Sequence, residues 1–416
     1  MQISDFKVEK IKNSRGRDTI LIKVKTNDRW FEASAPEGAS TGENEVYGFS
    51  KDGIDYSIQF ASSLGLKLIE QRTTFREFQD LKEIEALFSE VDKTKNYSIT
   101  GGNTLYAIEA AILKALAAFY KKELWEFLIE NEKPVLPMPL GNCIGGGKHT
   151  QEKEKPDFQE FLFLPKLESF KEAFNINLKA YNETKKQLKE RDKLFKNKIT
   201  DEKAYISYLD NESIITLLKL IQEKTLEKYK KTFELGLDIA SSSFYDKKIR
   251  KYKYETYFHQ AKNLTKEEQI DYIAGLIKKY NLVYVEDPLE EEDFEGFAEL
   301  LKRVRKTNPE TLIVGDDLIC TNLARLKKAI ANKSVNGIIV KPNQIGSLLE
   351  MKKVVDLAKQ NNIVPIVSHR SGETEDNTIA HLAVGWQIPI IKTGITGKER
   401  LAKLKELERI EKKVPK

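Results

Sequence analysis

The stretch Leu282-Val283-Tyr284-Val285-Glu286-Asp287-Pro288 sets four apolar or aromatic residues directly before a carboxylate. A buried strand reads as a short apolar run, and one that finishes on an ionisable residue carries that residue to the edge of its sheet. The same grammar recurs on either side. Leu235–Leu237 leads to Asp238, Leu312–Val314 to Asp316, and Ile338–Val340 to Lys341. Ile363–Val367 leads to Ser368-His369-Arg370, and Pro389–Ile391 to Lys392. After the first gap the steps are about 23–30 residues, the length of one strand–loop–helix–loop unit. The pattern predicts an α/β fold, a βα barrel whose C-terminal rim, where barrel enzymes keep their chemistry, holds these ionisable side chains.

Upstream the pattern differs. Ile3–Ile11, Thr19–Val24 and Trp30–Ala35 read as strands separated by the turn signals Ser14-Arg15-Gly16 and Asn27-Asp28. Helical patterns follow over Phe75–Phe88 and Asn103–Phe119. Strands first and helices after predict an α+β unit over residues 1–133, with Pro134, Pro137 and Pro139 marking the passage into a barrel over 134–416. Between Lys166 and Lys231 the chain is rich in Lys and Glu and helical in pattern, with Asp210-Asn211-Glu212 capping Ile214–Ile221.

A chain of 416 residues with 40% hydrophobic residues can bury more than one core. Its net charge of +5 is spread over interleaved Lys and Glu, without the aromatic-interleaved basic stripe of a nucleic-acid binder. Cys143 and Cys320 have neither disulfide-framework nor metal-ligand spacing and fit a reducing compartment. The start MQISDFKVEK has no apolar signal core, and no apolar run approaches the ~20 residues of a membrane span. The expectation is a cytoplasmic protein without membrane or nucleic-acid partners.

Three rim residues are acidic: Asp238, Glu286 and Asp316. Carboxylates converging on one point repel unless a cation compensates, and hard oxygen ligands without Cys favour Mg²⁺. The alternative is three separate salt bridges. Lys341 and Lys392 share the rim, either as structural ion-pair partners or, beside a metal, as a usable base. Carboxylates, metal and a lysine base are the equipment for removing a proton next to a carboxylate group, where cations absorb the charge of the ene-diolate.

Longer motifs accompany these residues. VKPNQIGS (Val340–Ser347) and VSHRSGETED (Val367–Asp376) resemble signatures of the enolase family. So do LGLDIASS (Leu235–Ser242), VEDPLEEEDF (Val285–Phe294) and Val314-Gly-Asp-Asp-Leu318, in order and spacing. SRG (Ser14–Gly16), GASTGENE (Gly38–Glu45), IGGGKH (Ile144–His149), QEF (Gln159–Phe161) and ERLAK (Glu399–Lys403) extend the resemblance over nearly the whole chain. It implies an enolase-type (β/α)8 barrel, irregular in its first units, with an N-terminal α+β capping domain.

The resemblance also implies roles. Asp238, Glu286 and Asp316 would hold a first Mg²⁺, and Ser40 would join a second that arrives with substrate. Lys341 would take the C2 proton of 2-phosphoglycerate. Glu202, supported by Glu160, would help the C3 hydroxyl leave as water, giving phosphoenolpyruvate. Arg370 and Ser371 would hold the phosphate and Lys392 the substrate carboxylate, with His149 and His369 lining the pocket. The implied activity is a Mg²⁺-dependent phosphopyruvate hydratase of glycolysis and gluconeogenesis, working as a homo-oligomer. The alternatives are an enolase-like paralogue acting on a related carboxylate and a non-catalytic enolase-like binding protein.

Some positions depart from the family pattern. Its GDEGG stretch stands here as Thr200-Asp201-Glu202-Lys203-Ala204, so both glycines after the acid are lost. Lys203 adds a charge that would favour ionised Glu202, which could instead be a residue at the start of a solvated helix. Gly145 replaces Asn, and Glu37 adds a negative charge near an anionic substrate's path. Lys412 replaces an acidic residue near Glu411, beside the family's subunit interface.

Overall fold

The computed structural model describes residues 1–38, 44–130, 133–257 and 260–414. Three antiparallel strands open the chain: β1 (Asp5–Lys12), β2 (Asp18–Thr26) and β3 (Arg29–Ser34). In β2, Ile20, Ile22 and Val24 are fully buried while Lys23 and Lys25 reach solvent, the period of two that gives a sheet one wet face. Helix α1 (Ile54–Glu70) packs against β1. Helix α2 (Gly102–Phe119) is apolar nearly all round and is accordingly buried, between this sheet and the barrel. The helix expected from Phe75 begins later, as a 3₁₀ turn at Phe78–Leu81 leading into a helix over Lys82–Val91. Phe75 is held in extended chain by its N–H bond to Met1 O, 2.8 Å, and the Asp80 carboxylate takes the Arg76 and Glu77 N–H groups at the helix entry.

Among the described residues eight strands close a barrel: β4 (Met138–Gly145), β5 (Glu160–Leu164), β6 (Glu234–Asp238), β7 (Tyr284–Glu286), β8 (Leu312–Gly315), β9 (Gly337–Val340), β10 (Val364–Ser368) and β11 (Ile390–Lys392). β11 pairs back onto β4, and β5 runs antiparallel to both its neighbours. Helices α3 (Phe170–Arg191), α4 (Asn211–Tyr229), α5 (Lys266–Tyr280), α6 (Phe294–Val304), α7 (Leu323–Asn332), α8 (Leu348–Gln360), α9 (Thr378–Gly385) and α10 (Lys398–Glu411) accompany the strands. Asp210 caps α4 by accepting the Ser213 N–H at 2.7 Å. The long step from Asp238 to Glu286 is filled by an antiparallel hairpin, Lys251–Tyr257 with Gln260–Leu264, followed by α5.

Two apolar groups share the strands. Leu140, Leu162, Tyr284, Val314, Ile339, Ile366 and Ile390 fill the barrel interior, whereas Leu237, Val285, Ile313, Ile338, Val340, Val367 and Ile391 face the helices. Side chains two apart share a strand face, so parity alone sends the residue two beyond the last interior one into the mouth. Tyr284 precedes Glu286 by two, Ile339 precedes Lys341, and Ile390 precedes Lys392. Gly236 stands likewise below Asp238, its Cβ space taken by Tyr284.

Candidate active site

Asp238, Asp316, Lys341 and Lys392 line one cavity of about 570 Å³, with Glu286 buried behind them. On one side Lys392 is the hub. Its ammonium lies 2.8 Å from Glu286, 2.9 Å from Asp238 and 3.0 Å from Glu160, with its side chain only 6% exposed. β6 and β7 set Asp238 and Glu286 directly side by side, and Asp316 follows the end of β8. Burial lowers the affinity of Lys392 for its proton, but the three carboxylates outweigh it and hold the amine charged. Burial together with the Asp238 charge pushes Glu286 up to about 8. Tyr284 donates to Glu286 Oε2 at 2.5 Å, whereas Glu286 Oε1 is buried with no hydrogen-bond partner.

Lys341 pairs with Asp316 Oδ2, and the other Asp316 oxygen accepts from Gln344 Nε2 at 3.1 Å. Thr321 joins the same network: its hydroxyl bonds Gln344 at 2.6 Å and accepts the Lys341 N–H at 2.9 Å. Burial would raise Asp316, but the Lys341 charge holds it below the usual carboxylate range. For Lys341, burial and the charges of Arg370 and Lys392 favour the neutral amine, while Asp316 and Glu286 keep it charged.

Glu160 joins the Lys392 group to Glu202 and two imidazoles. Glu202 sits in a tight turn closed by Thr200 N–H to Ala204 O, 2.8 Å, and Lys203 N–H to Thr200 O, 3.0 Å. It is buried, not the start of a solvated helix. Lys203 takes the left-handed conformation, φ 65°, that a glycine would adopt without strain; Ala204 does not. His149 Nδ1 lies 3.5 Å from Glu160 Oε1 and its Nε2 4.0 Å from Glu202 Oε1; His369 Nε2 lies 3.5 Å from Glu202 Oε2. Burial would raise both carboxyls. It prevails at Glu160, which is held well above the ordinary range. At Glu202, His149, His369 and Arg400 overcome it and keep the group ionised.

Arg370 lines the same cavity. Its guanidinium grips both oxygens of Glu45, at 2.8 and 3.2 Å, and donates to Asn343 at 3.1 Å. Next to it the Ser371 hydroxyl is buried without a partner. The Ser371 carbonyl, by contrast, is fixed by Arg400, 2.8 Å, and Ser14, 3.2 Å. An unpartnered buried hydroxyl beside a guanidinium is a donor set suited to an anion. Glu37 does not line the cavity: its carboxylate is held by Asn13 and Arg17 at 3.2 and 3.4 Å, and its backbone pairs with Gly372. Ser40 lies outside the described residues.

The acidic side fits a hard divalent cation. Its donors are carboxylate oxygens, one of them orphaned at Glu286, whose carboxyl is held above the ordinary range by burial and the Asp238 charge. Among the described residues Asp316 groups tightly with Asp287 and Asp317 rather than with Asp238 and Glu286, and Asp287 is spent on structure, accepting the Asp316 and Asp317 N–H groups at 2.9 Å each. Glu45, Gln344 and Arg400 stand inside GASTGENE, VKPNQIGS and ERLAK without a spacing that marks them, and only their partners in space distinguish them.

Comparison with known proteins agrees. A family model described as "Enolase, C-terminal TIM barrel domain" matches residues 133–416, and "Enolase, N-terminal domain" matches residues 3–128. An enolase of Methanosphaera stadtmanae is 43% identical, covering 99% of this chain and 97% of its own. Enolases of Methanothermobacter thermautotrophicus and Thermoplasma acidophilum are 39% and 36% identical, each over 99% of this chain and 97% and 98% of their own. The chain belongs to the enolase family.

Proposed function

We propose that this chain is a phosphopyruvate hydratase, dehydrating 2-phosphoglycerate to phosphoenolpyruvate, with its base and its acid in two groups that line one cavity at the barrel mouth. That pairing carries the reading: Lys341 and Lys392 lie among carboxylates, and Glu202 lies beside two imidazoles. Arg370 and Ser371 take the phosphate, the guanidinium supplying paired donors to its oxygens. Lys392 orients the substrate carboxylate. Lys341 takes the C2 proton; without its Asp316 partner, burial and the neighbouring Arg370 and Lys392 charges favour its neutral, basic form. Asp238, Glu286 and Asp316 would hold Mg²⁺, which would supply charge stabilisation for the ene-diolate.

Glu160, whose carboxyl burial holds above the ordinary range, and Glu202, held below it, flank His149. We assign the proton that leaves with the C3 hydroxyl to this pair, His369 steadying Glu202. A second Mg²⁺ arriving with substrate at Ser40, a division between domains at 133/134, a homo-oligomeric state and a cytoplasmic location complete the proposal. Among the described residues no helix is long and apolar enough to cross a membrane.

The direct test mixes purified protein, Mg²⁺ and 2-phosphoglycerate and follows the ultraviolet absorbance of the enol phosphate. Turnover is expected, falling by about 10²–10⁴-fold in Lys341→Ala, as for loss of a positioned base. Metal binding without turnover would overturn the assigned reaction and favour a related carboxylate as substrate.

A further inference from the structure

The phosphate side of the cavity already contains an anion. Glu45 comes from the N-terminal part of the chain, just before a segment that cannot retreat. Val46 N–H bonds Gln344 O at 3.0 Å, Tyr47 N–H bonds Asn96 O at 2.9 Å, and Tyr47 O accepts the Gly102 N–H at 2.7 Å. That anchoring aims the carboxylate at both terminal nitrogens of Arg370. Each partner's side chain is only 5% exposed, yet both contribute to the cavity wall. Asn343 completes the arrangement, taking one Arg370 N–H through its oxygen while its amide donates to Pro36 O at 3.2 Å.

We propose that Glu45 is a resident anion of the phosphate subsite, competing with the substrate's phosphate for Arg370. This rests on the reading of Arg370 and Ser371 as the phosphate holders. A phosphate entering here meets a guanidinium whose charge is already compensated. It must displace the carboxylate or bind beside it, and two anions a few ångströms apart in a buried site repel strongly. Glu45 therefore weakens the subsite on purpose of release: a phosphorylated product held by an uncompensated buried arginine would leave slowly. The Ser371 hydroxyl, orphaned while Glu45 holds Arg370, is the contact that a phosphate gains in exchange.

The experiment titrates inorganic phosphate into the full-length Mg²⁺-loaded protein by calorimetry, alongside Glu45→Gln, Glu45→Asp and Arg370→Gln, each first checked for folding by circular dichroism. Glu45→Gln keeps the shape and an acceptor for Arg370 but removes the charge, so phosphate should bind on the order of tenfold more tightly. The KM for 2-phosphoglycerate should fall with it. Glu45→Asp draws the carboxylate back by one methylene and should tighten phosphate binding by a smaller factor; it carries the test if Glu45→Gln does not fold. Unchanged or weaker phosphate binding in the folded Glu45 variants overturns the inference and makes Glu45 a positioning residue for Arg370. Arg370→Gln separates the two claims. If it binds phosphate as the parent does, the assignment of the phosphate subsite itself fails.

Discussion

Two departures that look unrelated in the sequence are one in space. A Cβ built on Gly145 would lie 2.6 Å from Thr200 Cγ2, so bulk lost from the end of β4 has been gained at the start of the Glu202 turn. Gly145→Ala should therefore destabilise the protein by about 1–3 kcal/mol, the range for overpacking, and Thr200→Gly should largely restore it, measured as a double-mutant cycle in urea. Additive losses would show that the contact does not couple them. Lys203 gives a second test. Held at φ 65°, it carries strain that glycine lacks, so Lys203→Gly should raise stability by up to about 1 kcal/mol and leave Glu202 in place. The sequence disclosed the missing glycines but not that a lysine would adopt the conformation of one. A φ angle is imposed by the Thr200–Ala204 closure and cannot be read from residue type.

Among the elements, strand ends were legible because parity is local. An apolar run and its first charge lie within a few residues, and whichever face holds Ile339 or Ile390 also holds Lys341 or Lys392. The reversed direction of β5 was not legible, since the run EFLFL reads alike either way and its pairing depends on how the chain returns from the His149 loop. Nor was the hairpin inside the first long gap. The helix α3 shows a similar limit at its start. Ser169 caps it, but the Phe170 and Lys171 N–H groups are taken by Glu411 from the far end of the chain, at 2.6 and 3.0 Å. Glu411→Ala should cost about 1 kcal/mol, the worth of a carboxylate at a helix N-terminus, as a lower chemical-denaturation midpoint with unchanged slope. No loss would mean that the contact contributes nothing to stability. Among the acid-side residues, a motif revealed Glu202 whereas its ionisation depends on His149, His369 and Arg400, brought there by three different stretches of chain.

At the scale of the molecule, the N-terminal sheet and helices clamp the barrel mouth through buried polar contacts. Asp376 accepts from Lys114 at 2.8 Å, Glu37 pairs with Gly372, and Glu109 takes the Leu348 N–H at the start of α8 at 2.6 Å. Burial, with Glu85 nearby, raises Glu109 well above the usual carboxylate range. The folded protein thus keeps a proton that the unfolded chain releases above about pH 4.3, so this contribution is intact below that pH and is lost as pH rises toward the folded value. Glu109→Gln keeps the acceptor and removes the titration. Its Tm relative to the parent should be higher at pH 8 than at pH 4; an equal difference at both would contradict the assignment. The central claim is that two groups of residues at one mouth perform two steps, with Lys341 breaking the C2–H bond and Glu202 assisting loss of the C3 hydroxyl. The measurement that tests it most directly follows exchange of the C2 proton of 2-phosphoglycerate with deuterium from solvent, by NMR, in Lys341→Ala and Glu202→Gln loaded with Mg²⁺. Exchange should vanish in Lys341→Ala and persist in Glu202→Gln while dehydration is lost from both; exchange surviving in Lys341→Ala would contradict the account.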